Sequence, residues 1–557
     1  MNSTKMWLLA GTSFAAVLLQ GDLRAQAQTV AAALSGKVTS AEEPVMEGVV
    51  VSAKMDGSTK TISVVTNDKG EYSFPAAKLE PGKYKISIRA AGYDLDGSNS
   101  ADVTAAGGKA DLKLVKAKNE ALQLSTAEWL MSAPGLLDKQ KATLGGCLGC
   151  HTLQRPFMSK YTAEEWPAVF QRMGFYYQGS VPTKPQMLVQ GGARGERVRV
   201  RDDAQKTMSE WLAKSNLSAG DKHSFEFKRI PRPKGRATHV VYTEYDLPRK
   251  DAEPHDAMRG PDGNIWYSDF GELMVGSLDP KTGKVTDYPL PVMKPEEPKG
   301  TLALSLDKQG NFWIAAMYQA GVYKFDLKTK QATPYPFPKE WQTNSTQASM
   351  ATATNSHVDG KVWVVNNDTH NLYKLDVATG QYTDMGVATD ASGSHISGYG
   401  MPTDSKNNAY LLEQGNTRIG LVDAKTNVTR IWSTPTVGSK PRRGRVDDQD
   451  RVWFGEFAGG AIGMFDPKTE KIREWQLPTP WSGPYDAELS KSGDAWAGSM
   501  YNDHVSRVIT TKDEFVEYLL PRPTNIRRVF VDNTTSPASL WIGNNHGAAI
   551  IHVEPTD

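Results

Sequence analysis

Cysteine is almost missing from this chain: there are two in 557 residues, at positions 147 and 150. That scarcity excludes a disulfide-stapled scaffold, and no cysteine follows the N-terminal apolar run to carry a lipid. An excess of one charge is missing too. Lys plus Arg (64) against Asp plus Glu (63) leaves +1, which excludes the basic surplus of a nucleic-acid binder. Long hydrophobic runs are also lacking. The one candidate, Met6 to Leu19, is too short for a comfortable membrane span. Lys5 precedes it and Ala25-Gln26-Ala27 follows, so residues 1–27 are expected to be a signal peptide cleaved after Ala27. The mature protein is therefore expected to be exported and soluble, periplasmic or secreted, with no integral membrane segment. What the chain does have is glycine (49), proline (32), tyrosine (20) and tryptophan (14), the balance of a turn-rich globular protein. At ~150 residues per domain, its length implies three or four units.

Residues 30–117 read as a small β unit. Tyr84, Ile86 and Ile88 alternate with Lys85, Ser87 and Arg89, and Asn67-Asp68-Lys69-Gly70 and Glu80-Pro81-Gly82-Lys83 are turn sequences. Residues 118–220 change to helical patterning. Ser125, Thr162 and Asp202 or Asp203 are candidate caps for helices ending near Met131, Met173 and Leu212. An arginine-rich loop (Arg194, Arg197, Arg199, Arg201) interrupts them, and residues 221–237 form a basic, proline-stiffened linker.

From 238 to 557 the sequence repeats. Trp266, Trp313, Trp363, Tyr410, Trp453, Trp496 and Trp541 recur at 43- to 50-residue spacings, and an Asp-x-Lys/Ala-Thr turn keeps the same beat from Asp279 to Asp466. Each unit has room for four short strands and no helix, which predicts a seven-bladed β-propeller. Too few residues follow Trp541 to finish a blade, so His239–Pro248 is expected to supply the closing strand. The fold class is thus multidomain and mainly β: a small β-sandwich, a small α-helical domain and a seven-bladed propeller.

The helical domain carries Cys147-Leu148-Gly149-Cys150-His151, on which the expectation of a cytochrome c domain rests. This is C-x-x-C-H, whose thiols can bond the vinyl groups of one covalent haem c while the histidine ligates its iron. For the sixth ligand, Met158, Met173, Met187 and Met208 all lie in the domain. The run Trp166 to Arg172-Met173 resembles the helix that follows the haem motif in small c-type cytochromes, which favours Met173, with Met187 the alternative.

Two further resemblances bear on function. Gly36-Lys37-Val38, Thr66 to Phe74 and Leu79 to Tyr84 resemble the carboxypeptidase regulatory-like β-sandwich, an accessory module expected here as a spacer or docking domain. Glu253-Pro254-His255, Ile265 to Asp269, Val452 to Glu456 and Gly483 to Ala487 resemble virginiamycin B lyase (streptogramin lyase) propellers. That resemblance implies His255 as a general base, with Glu253 and Asp269 as acidic partners holding Mg²⁺. Where the family uses a second histidine, this chain has Ile526-Arg527-Arg528-Val529.

Counting eleven residues back from each mark, with three inserted in the last unit, puts His255, Leu302, Thr352, Tyr399, Arg442, Tyr485 and Arg527 in one layer of the channel. This layer predicts a site for an anionic or polyhydroxylated organic molecule, with Glu253, Asp269 or Glu456 able to balance the arginines internally. His395 is a further candidate near that mouth, whereas His357, His370, His504 and His546 fall at turn-like, surface positions. Two readings follow. One is a periplasmic, haem-dependent oxidoreductase that acts on a small, anionic substrate and passes electrons to a periplasmic redox partner. The other is a lyase-like carbon–oxygen lyase, or a purely binding propeller with an independent electron-transfer haem.

Overall fold

A computed structural model describes residues 32–189 and 202–557. The expected signal peptide and the arginines at 194, 197, 199 and 201 lie outside the described residues.

The N-terminal unit is a β-sandwich. One sheet is built on Ala32–Ser40, which pairs with Glu71–Pro75 and Leu112–Lys116; the other runs through Lys60–Val65, Val50–Met55 and Gly82–Arg89. Period-two patterning makes the core: Tyr84 and Ile86 are buried against Val51, Ala53 and Leu114, while Lys83, Lys85 and Ser87 face water.

The repeat region forms seven successive propeller-like antiparallel units. The tryptophan marks all fall on second strands and are buried. Burying each removes enough apolar surface to contribute roughly 4–6 kcal/mol before entropy is charged. Trp266, Trp313, Trp453 and Trp541 also donate their indole N–H to Asp262, Asp307, Asp447 and Asp532 at 2.8–3.1 Å, which accounts for the acidic residue ahead of these four marks; Trp363 donates to the Asn407 carbonyl instead. The Asp-x-Lys/Ala-Thr beat is a turn in which the aspartate accepts a backbone N–H two residues on, as Asp326 does from Lys328. The fourth unit is irregular. Only Ala409–Leu412, Arg418–Val422 and Thr429–Ser433 form its sheet, and Gly400 and Thr403 bridge to it singly.

Val240–Asp246 pairs antiparallel with Ala549–Pro555, so a strand from the start of the repeat region completes the last unit. Its other edge pairs with Lys60–Val65 of the sandwich, from Val241 opposite Val64 to Tyr245 opposite Lys60. The sandwich is therefore not a free spacer. It continues the closing unit as one eight-stranded sheet, and Lys54–Asp246, Lys78–Glu554 and Arg89–Asp503 ion pairs, each 2.5 Å, reinforce the seam. The linker is pinned as well: Arg232 pairs with Glu43 at 2.5 Å, and Glu47 receives the Gly235 N–H.

Residues 118–220 carry short helices. Ser125 caps Thr126–Ser132 with a reciprocal capping box to Glu128. The next expected helix begins later than Thr162, at Trp166–Gly174, because Thr162 to Glu165 is spent on a turn; the last is Asp202–Ser215. Trp129 stacks on Phe157 at 4.8 Å, and this core runs straight into the propeller through Tyr485, Met500 and Tyr501.

Candidate functional site

The C-x-x-C-H segment ends the 3-10 stretch Ala142–Gly149, and both the Cys150 and His151 N–H groups bond to the Cys147 carbonyl at 3.3 Å. The two thiols are not joined to each other in a disulfide. Burial pushes the Cys147 thiol up to about 11. The His151 Nδ1 lies 2.9 Å from the Thr152 carbonyl, so Nδ1 carries the proton and Nε2 keeps its lone pair. This is the tautomer that an iron-ligating histidine needs. Trp166, in the same core as Cys147 and Leu148, has a buried indole N–H without a partner. The donor set and this orphaned donor fit a covalently held haem. Met158 and Met208 pack into that core, whereas Met173 is 37% exposed and Met187 57%.

The motif sits over the mouth of the propeller. The Arg527 Nη2 donates to the Gly149 carbonyl at 2.9 Å, and Tyr501 lies so close to Gly145 that a Cβ there would meet its hydroxyl at 2.6 Å. His546, expected at the surface, instead lies against Leu148 and Gly149 and near His151, and its buried ring nitrogens lack a well-formed hydrogen bond. Burial, with Arg527 and His151 beside it, pushes His546 down to about 3. His504 is likewise buried, whereas His357, His370 and His395 are exposed.

Beneath the motif, four of the seven counted positions converge. His255 places Nδ1 2.6 Å from Asp256 and Nε2 3.2 Å from the Tyr485 hydroxyl, which is 2.6 Å from that of Tyr399. With Nδ1–H donating to Asp256, Nε2 is the acceptor; Tyr485 donates to it and accepts from Tyr399. Arg442 covers Tyr485 at 4.1 Å and Phe457 at 4.3 Å. Arg527 lies at the rim, over Phe270 at 4.4 Å. Leu302 joins the apolar core, and Thr352 donates to the Met401 carbonyl in the next unit, so neither belongs to this cluster.

Sequence reasoning missed Arg443, which is buried and covers Tyr399 at 4.7 Å, and also Asp256, Asp486 and Arg528. The reason is local. The innermost strands slip register between Pro254 and Ala257, Pro441 and Gly444, and Pro484 and Ala487. A β-bulge turns consecutive side chains toward one side, which defeats strict alternation for Asp256, Arg443 and Asp486; Arg528 instead precedes Val529–Asp532, whose pairing has no slip.

The charges fall into two groups. Arg528 bridges Asp256 and Asp486 at 2.9 and 2.8 Å, and Arg445 also pairs with Asp486. Arg442, Arg443 and Arg527 have no carboxylate partner among the described residues; they meet only sulfur, carbonyl or amide oxygen, and ring faces. None of Glu253, Asp269 and Glu456 forms an ion pair with these three arginines, although the Arg527 charge acts on Glu253. Both carboxylate oxygens of Glu253 are buried without partners, Glu456 is buried against Glu474, and Asp269 is held by Arg249 at 2.6 Å. Burial raises Glu253 well above its usual range and Glu456 to about 9. Burial also raises Tyr399, but the Arg443 and Arg442 charges and the hydrogen bond it shares with Tyr485 outweigh it and bring it down to about 7. Burial holds Tyr485 above its usual value and His255 down at about 3. Mg²⁺ does not fit here: Asp269 is already committed to Arg249, and the described residues include no group of three His, Cys, Asp or Glu able to hold a metal.

Among known proteins, residues 33–115 match the family model of the carboxypeptidase regulatory-like domain. No curated protein matches the chain in sequence. Solved structures that resemble it include a streptogramin B lyase, 20% identical, covering 58% of this chain and 99% of that one with a TM-score of 0.48. A catalytically inactive virginiamycin B lyase from Staphylococcus aureus with quinupristin is 18% identical, covering 56% and 98%, also with a TM-score of 0.48. YCF48 bound to D1 peptide is 12% identical, covering 57% and 95% with a TM-score of 0.43.

Proposed function

We propose that this chain is an exported haem c electron-transfer protein, an oxidoreductase whose propeller binds a small anionic organic substrate directly beneath the haem-bearing domain. The observation that carries the reading is Arg527. One guanidinium joins the carbonyl of Gly149, inside C-x-x-C-H, to the mouth where Arg442, Arg443, Tyr399 and Tyr485 meet. Cys147 and Cys150 would hold the porphyrin, His151 would ligate the iron through Nε2, and Met173 is the candidate sixth ligand. When bound, the haem supplies one-electron transfer to a periplasmic redox partner. The propeller residues do the rest. Arg442, Arg443 and Arg527 attract and orient the anion, Tyr399 contacts its oxygen, and the buried Tyr485, held by His255 and Asp256, keeps Tyr399 in place.

The lyase-like alternative has less support. His255 points at Tyr485, Asp269 is held by Arg249, and arginines stand where the resemblance calls for a second histidine. Mixing the ferric protein anaerobically with small organic acids and phenols tests the proposal. A true substrate should yield the ferrous haem spectrum, and Arg442→Ala should slow that reduction by ~10-fold or more, the scale of one lost charged contact. Ligands that bind and never reduce the haem would leave the propeller a binding module.

A further inference from the structure

We infer that the propeller mouth is built for a carboxylate, gripped in the plane of the Arg442 guanidinium by its Nε–H and Nη2 edge. This rests on the reading of the mouth as an anion site and narrows it to one class of ligand.

Arg442 is held so that a single approach to it remains. The rings of Tyr485 and Phe457 lie against the guanidinium at 4.1 and 4.3 Å, and that of Tyr399 at 5.3 Å, so ring surface covers its faces. At its edges, Nη1 meets only the Met500 sulfur, at 3.5 Å. The Nε–H is buried without an acceptor, and Nη2 makes no hydrogen bond among the described residues. Nε–H and one Nη2–H lie parallel in the guanidinium plane, at the spacing that the two oxygens of a carboxylate match. Leaving a buried donor without an acceptor is costly, and a carboxylate on this edge removes that cost. A tetrahedral phosphate would instead press further oxygens against ring surface that offers no donor.

Arg443 adds charge without competing for the ligand. It lies over the same Tyr399 ring at 4.7 Å and is 1% exposed. Its Nη1 and Nη2 are directed to the Met350 sulfur and the Ser349 carbonyl, at 2.9 and 3.3 Å. Asp256 and Asp486 act on it without pairing with it, and both are bridged by Arg528. Two guanidiniums therefore share the mouth with no carboxylate between them among the described residues, and an incoming one meets both charges where water screens them little. That carboxylate has two sources: a free organic acid, or a propionate of the haem that Cys147 and Cys150 would carry over the mouth.

Calorimetry on the full-length haem protein tests this with acetate, butyrate and benzoate, the matching amides, and inorganic phosphate. At pH 6 the acids are ionised and Tyr399 keeps its proton. The acids should bind, and the amides, alike in shape but uncharged, should not. Arg442→Lys keeps the charge and deletes the fork, so at an unchanged melting temperature it should weaken the acids by ~10-fold or more. If the haem protein takes no acid but the Cys147→Ser, Cys150→Ser protein does, with the same loss in Arg442→Lys, the haem's own propionate is the carboxylate. The class then stands and only the external substrate is lost. Amides that bind as well as the acids, phosphate that binds as tightly, or acids indifferent to Arg442→Lys would each overturn the carboxylate assignment, and the last two leave the anion site intact. If neither form of the protein binds any of these anions, both readings fail together.

Discussion

Arg443 is the residue on which the electrostatics of the mouth turn. It is buried, carries no carboxylate, and lies over Tyr399. Leaving a buried charge unpaired is costly, so an anion at this spot is favoured, whether a ligand or Tyr399 itself. Tyr399 is drawn from 10 down to about 7, so the native state sheds its proton before the unfolded chain does. The resulting stability is fully present above pH 10 and is lost as pH falls through 7; Tyr485, held upward, acts in the opposite sense only beyond pH 10. Stability to urea should therefore gain from this group between pH 7 and pH 9, and ultraviolet difference spectra should show one tyrosinate forming in the same range. Tyr399→Phe should abolish the spectral change. A first tyrosine ionisation near 10 in the wild type would contradict the arrangement.

At the scale of elements, two devices shape the site, and only one of them could be read in the sequence. The repeat marks set the strands: the buried indoles and their aspartates placed His255, Tyr399, Arg442 and Tyr485 in one layer by counting alone. The bulges could not be read. A register slip leaves no local mark in Pro441-Arg442-Arg443-Gly444, so Arg443 and Asp256 stayed hidden behind strict alternation. The shared sheet was hidden for a different reason. Val241 meets Val64 across a gap in sequence that no periodicity spans, although both strands were legible separately. Val240–Asp246 now has a neighbour on each side, so a proline within it must break a ladder hydrogen bond. Val241→Pro should cost ~3 kcal/mol or more, read as a lower urea midpoint; a loss under ~1 kcal/mol would show that the seam is not structural.

At the scale of the whole molecule, the propeller has a roof. The helical domain packs Leu144, Leu148 and Cys147 onto Tyr485, Met500 and Tyr501, and Arg527 crosses to Gly149. The sequence displayed the C-x-x-C-H motif and the channel residues separately. Their meeting depends on a contact 378 residues apart, which spacing within either domain does not encode. This geometry makes one proposal of the haem and the anion site, because a group on Cys147 and Cys150 would stand over the mouth. The most direct test is the intact mass of the full-length protein, purified from the periplasm of a host that matures c-type cytochromes, followed by mapping of the peptide around residues 147–151. The account predicts the mass of one haem beyond the polypeptide, held by Cys147 and Cys150 and absent from the Cys147→Ser, Cys150→Ser protein. A polypeptide of unmodified mass, with two thiols or a disulfide in that peptide, would contradict it.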